Sequence, residues 1–99
     1  MDYRIIWTES AQADLKQLVT YIGGDDPISA ERFGFGLVDH VEQVSQQPWS
    51  GRKVPETDIE ELRELIYSPY RIIYEIYEDQ KIVYVVRVWH AARGKPQID

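Results

Sequence analysis

The 99-residue sequence contains no cysteine and no asparagine. Without cysteine, the chain can form neither a disulfide framework nor a thiolate metal site. Without asparagine, it offers no acceptor for N-linked glycosylation. Only two histidines are present, His40 and His90, and two histidines among scattered carboxylates match no zinc-ligand spacing. We therefore expect a protein that uses neither a metal ion nor an organic cofactor.

Long apolar runs are also missing. No stretch is long enough to cross a membrane. The start, MDYRIIWTES, lacks the apolar stretch after a basic one that marks a secretion signal. We expect a cytoplasmic protein without a membrane partner. The length suits one domain, predicted to extend over residues 1–99.

The chain has no excess of basic residues, and its net charge is −6. Residues 1–61 hold twelve acidic against five basic side chains, whereas residues 62–99 hold five against six. Because phosphate neutralisation supplies most non-specific affinity for nucleic acid, we expect no direct DNA binding by this chain alone. Tyrosines in the second part resemble a surface that stacks single-stranded bases. Without a basic field, we interpret them as core packing and edge cover.

Three apolar runs dominate the second part of the chain, at residues 62–67, 70–77 and 81–89. Valine, isoleucine and tyrosine prevail in them, and these residues suit a pleated, half-buried surface. The separating segments, Ser68-Pro69 and residues 78–80, are short enough for antiparallel hairpins. The pattern predicts a three-stranded antiparallel meander.

The first part predicts a short strand followed by two helices. Residues 3–7 form the strand, and Thr8 is a good cap for a first helix that ends at Gly23-Gly24. Asp26 caps the second helix, with Pro27 at its first position. We interpret residues 46–57 as a loop. The predicted fold is α+β: strand, helix, helix, then the three-stranded antiparallel meander, with the helical hairpin packed on one face of the sheet.

Turn lengths decide which side chains share a face of the meander, because a slip of one residue exchanges the faces. If both turns have even length, Ile66 lies opposite Arg71, and Ile73 lies opposite Val86. The residues that then share one face are Glu64, Arg71, Glu75 and His90. A first turn of odd length would put Arg63 opposite Glu75, and the sequence leaves both registers open.

Five segments along nearly the whole chain carry a family resemblance: YRIIWTESAQADLKQLVTYI, DPISAERF, QPWSGRKVPE, LRELIYSPYRIIYEI and VRVWHAAR. Together they resemble the RelE/ParE superfamily, the toxin halves of bacterial type II toxin–antitoxin pairs. The segments closest to the ParE-like branch are Gly51-Arg52, Leu62-Arg63-Glu64 and His90-Ala91-Ala92-Arg93.

The resemblance implies a toxin that a cognate antitoxin neutralises. The ParE-like branch is associated with inhibition of DNA gyrase, which favours a toxin that binds and inhibits a protein target. One alternative is a ribosome-dependent mRNA endoribonuclease of the RelE type, and another is a non-toxic remnant that only binds antitoxin. Many members are basic, and this acidic chain departs from them. We therefore expect apolar contacts to outweigh charge pairing with the antitoxin.

The endoribonuclease alternative needs a base, an acid and cations around one phosphate. The chain could supply these as Glu64, His90, and Arg71 with Arg93. Simpler roles also exist, because Glu64 and Arg71 suit a cross-strand charge pair and His90 and Arg93 suit the end of a strand. RelE-like nucleases carry lysines just before the second strand, where this chain has Asp58, Glu60 and Glu61.

The favoured mechanism assigns target binding to Trp89, His90 and Arg93. We expect them in a protruding terminus, since arginine and large aromatic side chains anchor protein interfaces. A nuclease would need His90 or Glu64 for proton transfer. A protein that blocks an interface would tolerate His90→Gln but lose activity when Arg93 or Trp89 is truncated.

Overall fold

The structure, a computed structural model, describes residues 2–98. The helices and strands are β1 (Arg4–Trp7), α1 (Glu9–Gly23), α2 (Pro27–Glu42), β2 (Arg52–Lys53), β3 (Leu62–Tyr67), β4 (Tyr70–Tyr77) and β5 (Ile82–His90). The strands form one sheet in the order β1-β5-β4-β3-β2. Neighbours pair antiparallel, except that β1 runs parallel to β5 at the edge. The predicted α+β order and the antiparallel meander are confirmed.

Both helices begin at the predicted caps. The Thr8 side chain accepts a hydrogen bond from the backbone N–H of Ala11, and the Asp26 side chain accepts one from Ser29. Each bond satisfies an N–H group that the start of a helix leaves without an intrahelical partner. Pro27 occupies the first turn of α2, as predicted. Within residues 2–98, neither helix is long and apolar enough to cross a membrane.

The helical hairpin packs on one face of the sheet, as predicted. Gly34 lies at the contact between the helices, where an added Cβ would meet Val19 Cγ2 at 3.1 Å. Glycine therefore permits the close approach of α2 to α1. The main core lies between helices and sheet and includes Leu18, Leu37, Val41, Ile72, Tyr74 and Val85.

The segment 46–57, predicted to be a loop, adds an edge strand to the sheet. Residues Arg52 and Lys53 form β2, and Arg52 pairs with Glu64 of β3. Upstream of it, the Tyr74 hydroxyl accepts a hydrogen bond from Gly51 and donates one to the Pro48 carbonyl. A Cβ on Gly51 would collide with that hydroxyl, so glycine is required there. A strand of two residues is too short to show the alternation by which strands are recognised.

The register of the meander contains a β-bulge that the sequence did not indicate. Ile66 lies opposite Arg71, which confirms the even first turn. Farther along β4, Ile73 lies opposite Arg87, and the register shifts after Ile73. The prediction that Ile73 lies opposite Val86 is wrong, because Val86 is the extra residue of the bulge.

The bulge changes which face of the sheet the end of β5 presents. An extra residue in one strand reverses the direction of every following side chain relative to the partner strand. Trp89 therefore pairs with Arg71, and His90 pairs with Tyr70. Glu64, Arg71 and Glu75 share a face as predicted, but the prediction that His90 joins them is wrong. His90 points to the face that the helices cover.

Candidate functional site

The face of the sheet that points away from the helices, called here the open face, carries a buried ion network. Glu64 is 1% exposed and accepts hydrogen bonds from Arg52 Nε at 2.5 Å and Arg71 Nε at 2.8 Å. The terminal nitrogens of Arg71 donate to the two carboxylate oxygens of Glu56 at 2.9 and 2.6 Å. Two guanidinium groups and two carboxylates therefore neutralise one another.

The network shifts the pKa values of Glu56 and Arg71. Hydrogen bonds from Arg71 hold the pKa of Glu56 below its usual range. The hydrogen bond to Glu56, and then the one to Glu64, raise the pKa of the Arg71 guanidinium against the opposing effect of burial. A general base must reach the proton that it removes. Glu64 cannot do so here, because its side chain is fully buried and each oxygen already accepts a bond from an arginine.

Trp89 also lies on the open face, inside a second, smaller core. The residue is 3% exposed and packs with Val54, Leu62 and Ile73. The Arg93 guanidinium lies 4.0 Å from the centre of the ring, and the indole N–H donates to the Gly94 carbonyl. The prediction that Trp89 protrudes is therefore wrong. Trp89 is buried beneath the Arg93 guanidinium, so Arg93 and not Trp89 is accessible at the surface.

A cleft lies between α1 and the end of β5, and we call it the α1–β5 cleft. Its volume is about 340 Å³. The lining residues are Asp14, Gln17, Leu18, Tyr21, Tyr70, Val88, His90 and Arg93. The four from α1 follow the three- and four-residue spacing that aligns side chains along one side of a helix. The Tyr70 and His90 rings meet edge to face at 5.1 Å.

The wall of this cleft is tied to the sheet by Asp14. Its carboxylate accepts hydrogen bonds from Arg87 Nε at 2.8 Å, from Arg87 Nη2 at 2.9 Å and from the Val88 backbone N–H at 2.9 Å. The aspartate is 9% exposed, so α1 carries a buried charge that the sheet neutralises. Asp14 was not predicted as a site residue, although its spacing in the sequence gave a signal. It follows the buried Ala11 by three residues and precedes the buried Leu18 by four.

The hydrogen bonds of His90 define its neutral tautomer. Nδ1 accepts the backbone N–H of Ala92 at 3.1 Å, so Nδ1 carries no proton and Nε2 does. Within residues 2–98, no group accepts a hydrogen bond from Nε2, and Arg93 has no carboxylate partner. In the same part of the chain, no cluster of three His, Asp or Glu side chains could hold a metal ion.

The candidate residues therefore separate into two groups. Glu64 and Arg71 come together in the ion network of the open face. His90 and Arg93 come together in the α1–β5 cleft. Tyr21, Tyr70 and Gln17, which share the cleft, were not predicted, because no local pattern connects α1 to the end of β5.

Relatives of this chain are toxins. Residues 5–94 match the family described as the ParE toxin of the type II toxin–antitoxin system parDE. Toxin RelE2 of Caulobacter vibrioides is 34% identical over 91% of this chain and 97% of its own length. The putative toxin Y4kP of Sinorhizobium fredii is 35% identical over 96% of this chain and 95% of its own.

Solved structures share the fold. The chromosomal ParDE system of P. aeruginosa contains a chain that superposes with a TM-score of 0.71 at 21% identity, covering 89% of this chain and 95% of that one. A free mutant of E. coli RelE superposes with a TM-score of 0.60 at 21% identity, covering 95% and 88%. At such identities the likeness shows the fold alone. The family match over residues 5–94 goes further: this chain belongs to the ParE family of toxins of type II toxin–antitoxin systems.

Proposed function

We propose that this chain inhibits growth by binding and disabling a protein target, DNA gyrase, without catalysing a reaction. The choice of gyrase rests on the ParE-like segments of the sequence and is supported by the ParE family match over residues 5–94. The surface that we assign to the target is the end of β5, where His90 and Arg93 lie, with Trp89 supporting Arg93 from beneath. A target of this kind places the action of the toxin in the cytoplasm.

One observation carries the non-catalytic mechanism: the separation of Glu64 from His90. An endoribonuclease needs its acid and its base around one phosphate. Here Glu64 is buried between two guanidinium groups on the open face, whereas His90 lies on the other face of the sheet. The pairing of Glu64 with Arg71 satisfies both groups within the fold, and a cross-strand charge pair accounts for both residues.

Two parallel assays test the mechanism. The purified chain should inhibit supercoiling by gyrase and leave mRNA intact on translating ribosomes. His90→Gln should keep the inhibition, because glutamine retains an N–H donor, whereas Arg93→Ala should lose it. Arg32→Ala is the matched control, since Arg32 is exposed on α2 and lies outside the cleft.

Two results would contradict the non-catalytic mechanism. Codon-phased mRNA cuts that disappear with His90→Gln would establish the RelE-type endoribonuclease, for which removal of an acid or base costs at least about a hundredfold in rate. A folded chain without either activity that still binds its antitoxin would be the non-toxic remnant.

We also propose a cognate antitoxin as a partner, bound to the outer side of the helical hairpin. The fold is shared with chains from toxin–antitoxin complexes, among them RelBE2 of Mycobacterium tuberculosis and RelE–RelB of Pyrococcus horikoshii. A groove of about 230 Å³ runs between α1 and α2, lined by Leu15, Val19, Ala30, Glu31, Gly34, Phe35 and Val38. Since this lining is almost entirely apolar, the affinity for antitoxin should change little across a salt series.

A further inference from the structure

We propose that the α1–β5 cleft receives an acidic side chain of the protein target, an aspartate or glutamate in an exposed peptide segment. This inference rests on the proposed function and names the chemistry of the group that the toxin recognises. Three features support it: hydrogen-bond donors that have no acceptor among the described residues, an acidic wall that is already neutralised, and aromatic walls of suitable size.

The donors of the cleft come from several elements. Arg93 contributes a guanidinium that pairs with no carboxylate in residues 2–98, and His90 contributes the Nε2–H group. The hydroxyls of Tyr21 and Tyr70 and the amide of Gln17 complete the lining. Charged donors form the strongest hydrogen bonds with carboxylates, and arginine can offer two parallel N–H groups. Within residues 2–98, none of these groups binds an anionic side chain, so they are available to a ligand.

The Arg93 side chain is pre-organised for such a ligand. Its guanidinium lies on the buried Trp89 ring, 4.0 Å from the ring centre. Stacking on a fixed aromatic restricts the rotamers of the side chain and leaves the N–H groups at its edge free to donate. Pre-organisation of this kind reduces the entropy that binding must otherwise remove.

The carboxylate in the lining does not repel an anion. Asp14 is the one acidic side chain among the described lining residues, and Arg87 and the Val88 N–H engage both of its oxygens. Its charge is therefore compensated within the wall. The cleft presents a local positive charge in a chain whose net charge is −6.

The shape and the field favour a single carboxylate on a peptide over a nucleic acid. A volume of about 340 Å³ lies near the lower end of ligand pockets, enough for one side chain and the adjoining backbone. Tyr21 is 82% exposed at the rim, where its ring can cover a bound segment. A polyanion that reached the cleft would also lie near the acidic surface of residues 1–61, which would repel it. Nucleic-acid binding requires attraction between phosphates and basic side chains, and this surface does not supply it.

The experiment titrates the isotope-labelled full chain with two blocked tripeptides, Ala-Glu-Ala and Ala-Gln-Ala, and follows the resonances of the chain by NMR. The glutamate peptide should bind with a dissociation constant on the order of 1 mM. It should shift resonances of Tyr21, Tyr70 and His90 above all. The glutamine peptide should bind at least about tenfold more weakly, because it lacks the charge that strengthens the hydrogen bonds.

Variants locate the site. Arg93→Gln should weaken binding of the glutamate peptide by about tenfold or more. Arg32→Gln removes the same charge elsewhere on the surface and should change that affinity less than about twofold. Equal binding of the two peptides, or equal effects of the two variants, would overturn the inference. So would a single-stranded oligonucleotide that binds the same residues more tightly than the glutamate peptide.

The two proposals fail separately. A chain that binds the glutamate peptide through Arg93 but does not inhibit gyrase would keep the cleft as an acidic-peptide site and overturn the proposed target. Inhibition of gyrase by a chain that does not discriminate between the peptides would keep the target and overturn the role of the cleft. If both proposals are correct, a saturating amount of the glutamate peptide should relieve the inhibition, and the glutamine peptide at the same concentration should not.

Discussion

The ion network of the open face and the α1–β5 cleft differ in how many of their charged groups are paired. On the open face, Glu64, Arg71 and Glu56 satisfy one another, and little of their bonding capacity is left for a ligand. In the α1–β5 cleft, Arg93 has no carboxylate partner among the described residues, and His90 keeps a donor without an acceptor. Charged groups that are fully paired stabilise a fold, whereas an unpaired charged group can bind a ligand. Under the proposed function, the open face stabilises the fold and the cleft recognises the target.

The largest expected effect is that of Trp89→Ala. Removal of a buried aromatic side chain leaves a cavity, so the free energy of unfolding should fall by about 4 kcal/mol. Trp49→Ala is the control, because Trp49 is 39% exposed, and its loss should cost less than about 1.5 kcal/mol. Urea unfolding measures both. If Trp89→Ala were as stable as the parent chain but did not inhibit gyrase, Trp89 would be a direct contact to the target.

Glu64→Gln should have the next largest effect. It leaves Arg52 and Arg71 beside a neutral amide, and breaking a buried ion pair from one side costs about 3 kcal/mol. Glu31→Gln, on the exposed surface of α2, should change the free energy of unfolding by less than about 0.5 kcal/mol. If Glu64→Gln were as stable as the parent chain but inactive, the open face would have a functional role that its geometry does not indicate.

The smallest effect concerns Glu56 and depends on pH. Because Arg71 lowers the pKa of Glu56 below its ordinary value of 4.5, the stabilisation is present above that value and is lost as the pH falls through the lowered pKa. At pH 7 the parent chain should exceed Glu56→Gln in stability by about 1 kcal/mol or less. The difference should shrink below pH 4.5. A difference that stays constant into strong acid would show that the contact is not ionic.

Several features of the fold were predictable because their causes are local. The cap at Thr8 and the Asp26-Pro27 start depend on residues within one helical turn. The first hairpin register was given by a turn of two residues, Ser68-Pro69, as one of two alternatives that the sequence allowed. The apolar runs of the meander fixed its strands to within a residue at each end.

The arrangement of the site depended on residues far apart in the chain. The bulge at Val86 separates His90 from Glu64 and buries Trp89, and no local signal marks it, because its position depends on packing against both neighbouring strands. Asp14 and Arg87 are separated by 73 residues, and only the docking of α1 on β5 joins them. Local sequence patterns therefore predicted both helices, four of the five strands and their order, and the family resemblance was already visible in the sequence. Which charges are paired and which are left for a partner follows only from the folded chain, because burial and pairing depend on long-range contacts.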